Sequence, residues 1–404
     1  MRSFIQKLGP GLLFAGAAIG VSHLVQSTRA GADYGFSLVW ALLLVHLFKY
    51  PFFQYGPRYA MATGETLLDG YRKIGKWALI TYFVITLATM FTIQTAVTIV
   101  TAGLAANLFG VTTNPVTWSI IITFICLLIL LLGKYRFLDN LMKIIVCVLS
   151  VSTVIAVIVA VNGNGQPMSL KQIIPTDIAG ITFLIAFMGW MPAPLDVSIW
   201  QSLWAIEKRK INKDYDTKQS LFDFNIGYLS TVFLGLFFIT LGAVVMHGTG
   251  DSFASGASLF ASQLIELYTK SLGNFSYLII ALAAFTTMFS TTLTTLDASP
   301  RSMVKCSSLL FNRTHKSSYL FWIGLLVTGT LTILLFFLSE MKTLVEIATI
   351  VSFITAPFYA VINFALISSK HTPKEWHPSI LLKTVSYLGI IFLSGFSIWY
   401  LTTL

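Results

Sequence analysis

Apolar residues along this chain gather into long runs, and most polar residues are confined to short connections between them. The runs fall near 10–32, 36–62, 77–106, 115–133, 137–161, 178–205, 222–247, 275–299, 318–338, 343–368 and 380–402. About 18 or more apolar residues wound as a helix cross roughly 30 Å of hydrocarbon, so each run predicts one membrane span. The segment 251–270 is too polar to span, yet Phe253, Leu259, Phe260, Leu264 and Leu267 predict an amphipathic helix lying on the surface. The pattern describes an all-α integral membrane protein of about eleven transmembrane helices, a single polytopic domain over 1–404.

Basic residues test that count, because cytoplasmic loops collect Lys and Arg. With the N-terminus in the cytoplasm, one side holds Arg2, Lys7, Arg58, Arg72, Lys73, Lys76, Lys134, Arg136, Lys143, Lys208, Arg209, Lys210, Lys213, Lys218, Arg301, Lys305, Arg313, Lys316, Lys370, Lys374 and Lys383. The other side holds Arg29, Lys171, Lys270 and Lys342, and Lys49 falls inside a span. A division of 21 to four supports this orientation, an odd number of spans and an extracytoplasmic C-terminus. It also accounts for the net charge of +10 through membrane orientation, so no nucleic-acid partner is expected. Composition agrees: 56% of residues are hydrophobic and 10% charged, against about 25% charged in ordinary globular domains. Cys126, Cys147 and Cys306 sit in or beside apolar segments without paired spacing, which indicates neither a disulfide framework nor a metal cluster. The first apolar run continues into a full span, so no cleavable signal peptide is expected. Short connections suit a cell inner membrane, with the lipid bilayer as partner, and a monomer is expected.

Two spans are interrupted. The first contains Gly9-Pro10-Gly11, Gly16 and then Gly20-Val21-Ser22-His23; the sixth contains Gly189-Trp190-Met191-Pro192-Ala193-Pro194. Proline removes a backbone donor and disfavours helix at the preceding residue. Carbonyls freed at membrane depth are tolerated where they face protein or a watery cavity. Breaks in spans one and six fit two inverted five-helix repeats, about 8–162 and 178–368, followed by one extra helix at 380–402. Ordinary proline kinks are the alternative.

Gly9-Pro10-Gly11, the stretch Arg29-Ala30-Gly31-Ala32-Asp33-Tyr34-Gly35-Phe36-Ser37-Leu38-Val39-Trp40, and Thr63-Gly64 resemble the Nramp family of proton-coupled divalent-metal transporters. Met191-Pro192, Ser290-Thr291-Thr292-Leu293-Thr294 and the stretch from Ser352 to Pro357 fit the same pattern. The resemblance implies a LeuT-type fold and alternating access. It also shows departures. Aligned on Ala30-Gly31-Ala32, the family's Asp-Pro-Gly-Asn signature falls on Gly20, Val21, Ser22 and His23, and its Met-Pro-His-Asn signature falls on Met191, Pro192, Ala193 and Pro194. Span three carries no acidic residue, although metal-transporting members typically use one there in proton movement.

The candidate substrate-binding residues are therefore Gly20, Val21, Ser22, His23, Met188, Met191, Pro192 and Asp196. His23 offers a metal ligand, a donor to an anion or a proton carrier, or else a ring bonded to backbone carbonyls. Asp196 offers a cation ligand or proton acceptor paired with His23, or else a helix-capping carboxylate. Together, imidazole, carboxylate and the thioether of Met191 make a substitute transition-metal set. The candidates for coupling or gating are Lys49, Ser290, Thr291, Thr294, Asp297, Arg301 and Glu346. Lys49 lies just before Pro51, where it can reach carbonyls that proline frees, snorkel to an interface, or fill the place of a coupling cation; His46 lies one turn away. Asp297 and Arg301, like Lys342 and Glu346, are four residues apart and suit ion pairs along one helix face. The hydroxyls of Ser290, Thr291, Thr292, Thr294 and Thr295 suit either sodium ligation or helix–helix hydrogen bonding.

These expectations converge on a secondary transporter of a small ion, a divalent metal such as manganese or iron by resemblance, with no resident cofactor and a proton or sodium as coupling ion. The alternatives are a carrier of an anion or small organic solute on the same fold, and a non-transporting sensor. Neither a nucleotide-binding loop nor a nucleophile–base pair indicates an enzyme.

Overall fold

The computed structural model describes residues 9–132, 135–163, 169–312, 318–337 and 340–403, with side chains described outside 135–146. The side chains of Arg2, Lys7, Lys134, Arg136, Lys143, Arg313 and Lys316 lie outside the described residues.

Among the described residues the apolar runs fold into helices in the order the sequence predicts. The first is α1 (Pro10–Ala18), a π-helical stretch (Gly20–Ser27) and α2 (Thr28–Tyr34). Then come α3 (Val39–Thr63), a short connecting α4 (Leu67–Ile74), α5 (Lys76–Phe109), α6 (Pro115–Leu131) and α7 (Tyr135–Gly163). The sixth span is α8 (Ile178–Trp190) and α9 (Val197–Ile211), followed by α10 (Thr217–Val245). The amphipathic helix is α11 (Ala257–Leu272). It begins later than 251, and it turns Phe260, Leu264 and Leu267 inward while Leu259 stays 60% exposed. The chain closes with α12 (Tyr277–Phe311), α13 (Ser318–Thr332), α14 (Met341–Ile367) and α15 (Ile380–Thr403).

By length and composition, seven helices among the described residues can cross a membrane, while α6, the Cys147–Gly163 part of α7 and α8 are apolar but shorter. The α3 helix is long enough, but His46, Lys49 and Gln54 interrupt its apolar character, and all three are buried in the bundle. Polar residues facing the interior of a bundle are the usual mark of a membrane protein with an internal site.

Packing gathers many of the helices into two groups, joined by contacts of α10 with α7 and of α14 with α5 and α8. In one, α10 packs against α1, α2 and α3, and α9 packs against α3. In the other, α12 packs against α5, α7 and α13, and α5 packs against α6. The two broken spans belong to the first group and look across at α5 and α12 of the second. Close approach depends on missing side chains, because membrane helices gain stability mainly from packing. A Cβ on Gly189 would meet the Thr349 carbonyl of α14 at 2.0 Å, and one on Gly20 would meet the Thr291 hydroxyl of α12 at 2.6 Å.

Candidate functional site

The break in span one keeps its hydrogen-bonded winding. Pro10 occupies the first turn of α1, where no donor is needed, so it starts the helix. At Ile19 the winding changes to a π-helix through Ser27, a form frequent at functional sites. Side chains bond back across the wider turns: Ser27 Oγ donates to the Ser22 carbonyl at 3.2 Å, and Thr28 Oγ1 to that of His23 at 3.4 Å. Ser22 Oγ also bonds the Ala18 carbonyl.

His23 is fully buried on the far side of this stretch. Its Nε2 lies 2.8 Å from the Thr231 carbonyl of α10, and its Nδ1 lies 3.0 Å from the Ala18 carbonyl and 2.7 Å from Ser22 Oγ. Carbonyls occupy both ring nitrogens, so a metal would have to displace one of them. The expected triad of His23, Met191 and Asp196 is not assembled. His23 faces α10, the Met191 sulfur lies 4.0 Å from Ser27 Oγ, and Asp196 lines a separate cavity. Among the described residues, no three His, Cys, Asp or Glu side chains converge on a metal position.

The break in span six is open. Within a helix the Met188 carbonyl would accept from the N–H of residue 192, but that residue is Pro192; Pro194 likewise removes the donor for Trp190. Lys49 fills the gap. Its ammonium, with no exposed surface, donates to the carbonyls of Met188 at 2.9 Å, Gly189 at 2.7 Å and Ala193 at 3.3 Å. The sequence pointed Lys49 toward carbonyls freed by its neighbour Pro51; its actual partners belong to the break of another span, where Pro192 frees the Met188 carbonyl. His46, one turn earlier, bonds the Leu42 carbonyl through Nδ1 at 2.8 Å.

The two breaks touch where Ser22 Oγ lies 3.2 Å from the Pro192 carbonyl, its single proton shared between that oxygen and the Ala18 carbonyl. Beside this contact is a buried cavity of about 30 Å³, walled by Ala18, Val21, Val97, Trp190, Trp200 and Thr291 among others. A second cavity of about 10 Å³ shares Ile93 and Pro194 with the first and is lined by Thr89, Asp196, Ser352, Thr355 and Tyr359.

The remaining candidates lie outside both cavities or bond between helices. Thr291 and Thr295 border the larger cavity, yet Thr292 Oγ1 meets Thr101 Oγ1 at 2.7 Å and Thr295 Oγ1 donates to Gln94 at 2.7 Å, binding α12 to α5. Thr294 is buried and Ser290 half-buried on the same helix. Arg301 Nε donates to Asp297 at 2.7 Å as the spacing predicts, and Tyr319 adds a 2.6 Å hydrogen bond to the same carboxylate. Glu346 does not take Lys342 as its partner. It pairs with Arg29 at 3.3 Å, joining spans one and ten, and the guanidinium also stacks 5.1 Å over Phe183.

Asp223 was missed. Its carboxylate accepts from the Gly9 and Gly11 N–H groups at 3.1 and 2.9 Å and from Tyr215 at 3.0 Å, so α10 caps the start of α1. The available signal was an acid entering an apolar run, which marks a buried functional or structural group.

A helical bundle with two spans broken around a shared internal cavity is the LeuT fold. The structure matches that of a manganese transporter of Eremococcus coleocola with a TM-score of 0.72 at 13% identity, covering 100% of this chain and 87% of the other. It matches MhsT, solved with L-phenylalanine, with a TM-score of 0.68 at 14% identity, covering 98% and 97%. In sequence, the model of the natural resistance-associated macrophage protein-like (Nramp) family matches residues 11–403. The chain therefore belongs to the Nramp family and is a multi-pass membrane protein. It is 35% identical to an uncharacterised protein of Pasteurella multocida (strain Pm70), covering 99% of this chain and 93% of the relative. It is 22% identical to the metal transporter Nramp2 of Oryza sativa subsp. japonica, covering 97% and 76%.

Proposed function

We propose that the chain is a secondary active transporter that moves a small ion across the membrane by alternating access. The observation that carries this reading is the buried cavity of about 30 Å³ beside the contact of two broken helices, with walls drawn from both helix groups. Relative movement of the groups opens such a cavity to one side and then the other. Family membership supports a transporter rather than an enzyme, and the manganese and metal transporters among its relatives support a divalent transition metal, such as manganese, as the ion moved. The fully buried Met191 at the break is a thioether of the kind that prefers such metals. The basic-residue division of 21 to four supports a cytoplasmic N-terminus in the inner membrane.

One observation favours a second reading, a non-metal solute on the same framework. The cavity lining contains Val21, Val97, Trp190 and Trp200 and no carboxylate, while the Lys49 ammonium sits on the carbonyls a cation would use. Manganese uptake into proteoliposomes, read by quenching of an enclosed metal-sensitive dye, separates the two. Saturable uptake that Met191→Ala abolishes supports the metal reading. No uptake from folded, reconstituted protein overturns it in favour of the second.

A further inference from the structure

We propose that Asp196 and the oxygens around it form a binding site for a small monovalent cation of sodium size, adjacent to the substrate cavity. This deepens the transporter reading, on which it rests, by naming a coupling ion.

Asp196 is 7% exposed and stands at the N-cap position of α9, yet makes no capping hydrogen bond. Its Oδ1 is buried without a hydrogen-bond partner and belongs to the wall of the smaller cavity. A carboxylate oxygen left without a partner at membrane depth is costly, so Oδ1 recruits a positive group beyond the Lys49 charge that already acts on Asp196. The surrounding oxygens favour a metal cation over a proton. Thr89 Oγ1 donates to the Ile85 carbonyl at 2.9 Å, Thr355 Oγ1 to that of Val351 at 2.9 Å, and Ser352 Oγ to that of Ala348 at 2.8 Å. A hydroxyl has one proton and two lone pairs. With those protons committed along their own helices, the hydroxyl oxygens remain as acceptors, Ser352 Oγ with one lone pair left beside the one that takes the Trp190 indole N–H at 2.8 Å.

Three helices, α5, α9 and α14, thus supply one carboxylate and several neutral oxygens, the ligands of a hard cation. The volume of about 10 Å³ admits one water-sized occupant. A single acid suits a single charge, the more so because Lys49 already places a positive group nearby. The ionisable groups acting electrostatically on Asp196 are Lys49 of α3, Tyr71 of α4, Tyr82 of α5 and Tyr359 of α14.

The test needs no substrate. Melting temperature of the purified full chain is followed while sodium, lithium, potassium or choline chloride is titrated at constant ionic strength and pH. Sodium should raise it saturably and potassium and choline should not. Asp196→Asn should abolish the effect, and Thr355→Val should weaken apparent affinity about tenfold, the equivalent of one hydrogen-bond-sized contribution. Monodisperse elution and helical circular dichroism establish that both variants are folded. Equal responses to sodium and potassium overturn the proposal, as does an unchanged response in Asp196→Asn. So does stabilisation that follows pH alone, because the carboxylate then takes only a proton. Failure here leaves the transporter reading standing, and failure of manganese uptake leaves this site standing.

Discussion

The two broken spans meet the same physical demand by different means. A helix that changes course inside a membrane must still provide partners for its backbone carbonyls. Span one does so locally, by widening to a π-helix whose turns are tied back by Ser22, Ser27 and Thr28. Span six cannot, because Pro192 and Pro194 have no N–H to give, so the ammonium of Lys49 is brought in from α3. The first break takes most of its side-chain ties from its neighbours in sequence, with His23 reaching α10. The second is held by one residue 139 to 144 positions away, and that makes it the more vulnerable.

The sharpest way to break this comparison is Lys49→Met, which keeps much of the side-chain volume and removes all three donors. Unpaired buried polar groups are expensive, and the loss should be about 3–5 kcal/mol, seen as a large fall in melting temperature. A fall no greater than that of span-one variants would show that the ammonium is not what holds the break. His23→Leu comes next, with a smaller expected cost of about 1–2 kcal/mol. The Ala18 carbonyl keeps Ser22 as a donor, and the Thr231 carbonyl lies within the hydrogen-bonded ladder of α10. The smallest effect belongs to Ser22→Ala, about 1 kcal/mol or less in stability. Ser22 provides the hydrogen bond from one break to the other, so this variant should change the turnover rate of transport more than it changes melting. Equal changes in both would reduce Ser22 to a local tie.

Much of the architecture was legible in the sequence because it is written in local signals. Hydrophobic run length located the helices, seven of which among the described residues are long and apolar enough to cross a membrane, and glycine and proline marked both interruptions. The i,i+4 spacing found Asp297–Arg301 because both partners lie on one helix. The same rule misdirected Glu346, whose partner Arg29 is 317 positions away. Lys49 was recognised as a buried cation within reach of proline-freed carbonyls, but spacing favoured Pro51 over the distant Pro192. The winding of 20–27 was hidden for another reason: Val21, Ser22 and His23 carry no π-specific signal, and a π-turn depends on how Gly20 and its neighbours pack against α10 and α12. The Asp196 cavity was half legible. Its acid stood out in an apolar segment, whereas Thr89, Ser352 and Thr355 are ordinary membrane hydroxyls until tertiary packing brings them together.

The central claim is that the cavity between the breaks opens alternately to the two sides of the membrane. Val97, on its α5 wall, can be changed to cysteine in a background where Cys126, Cys147 and Cys306 are replaced by serine or alanine. Labelling by a membrane-impermeant thiol reagent is then compared in right-side-out and inside-out vesicles. The account predicts modification of Val97→Cys from both sides, with protection on each side when the transported solute locks the cavity closed. Modification from one side only, whatever the conditions, would contradict alternating access through this cavity.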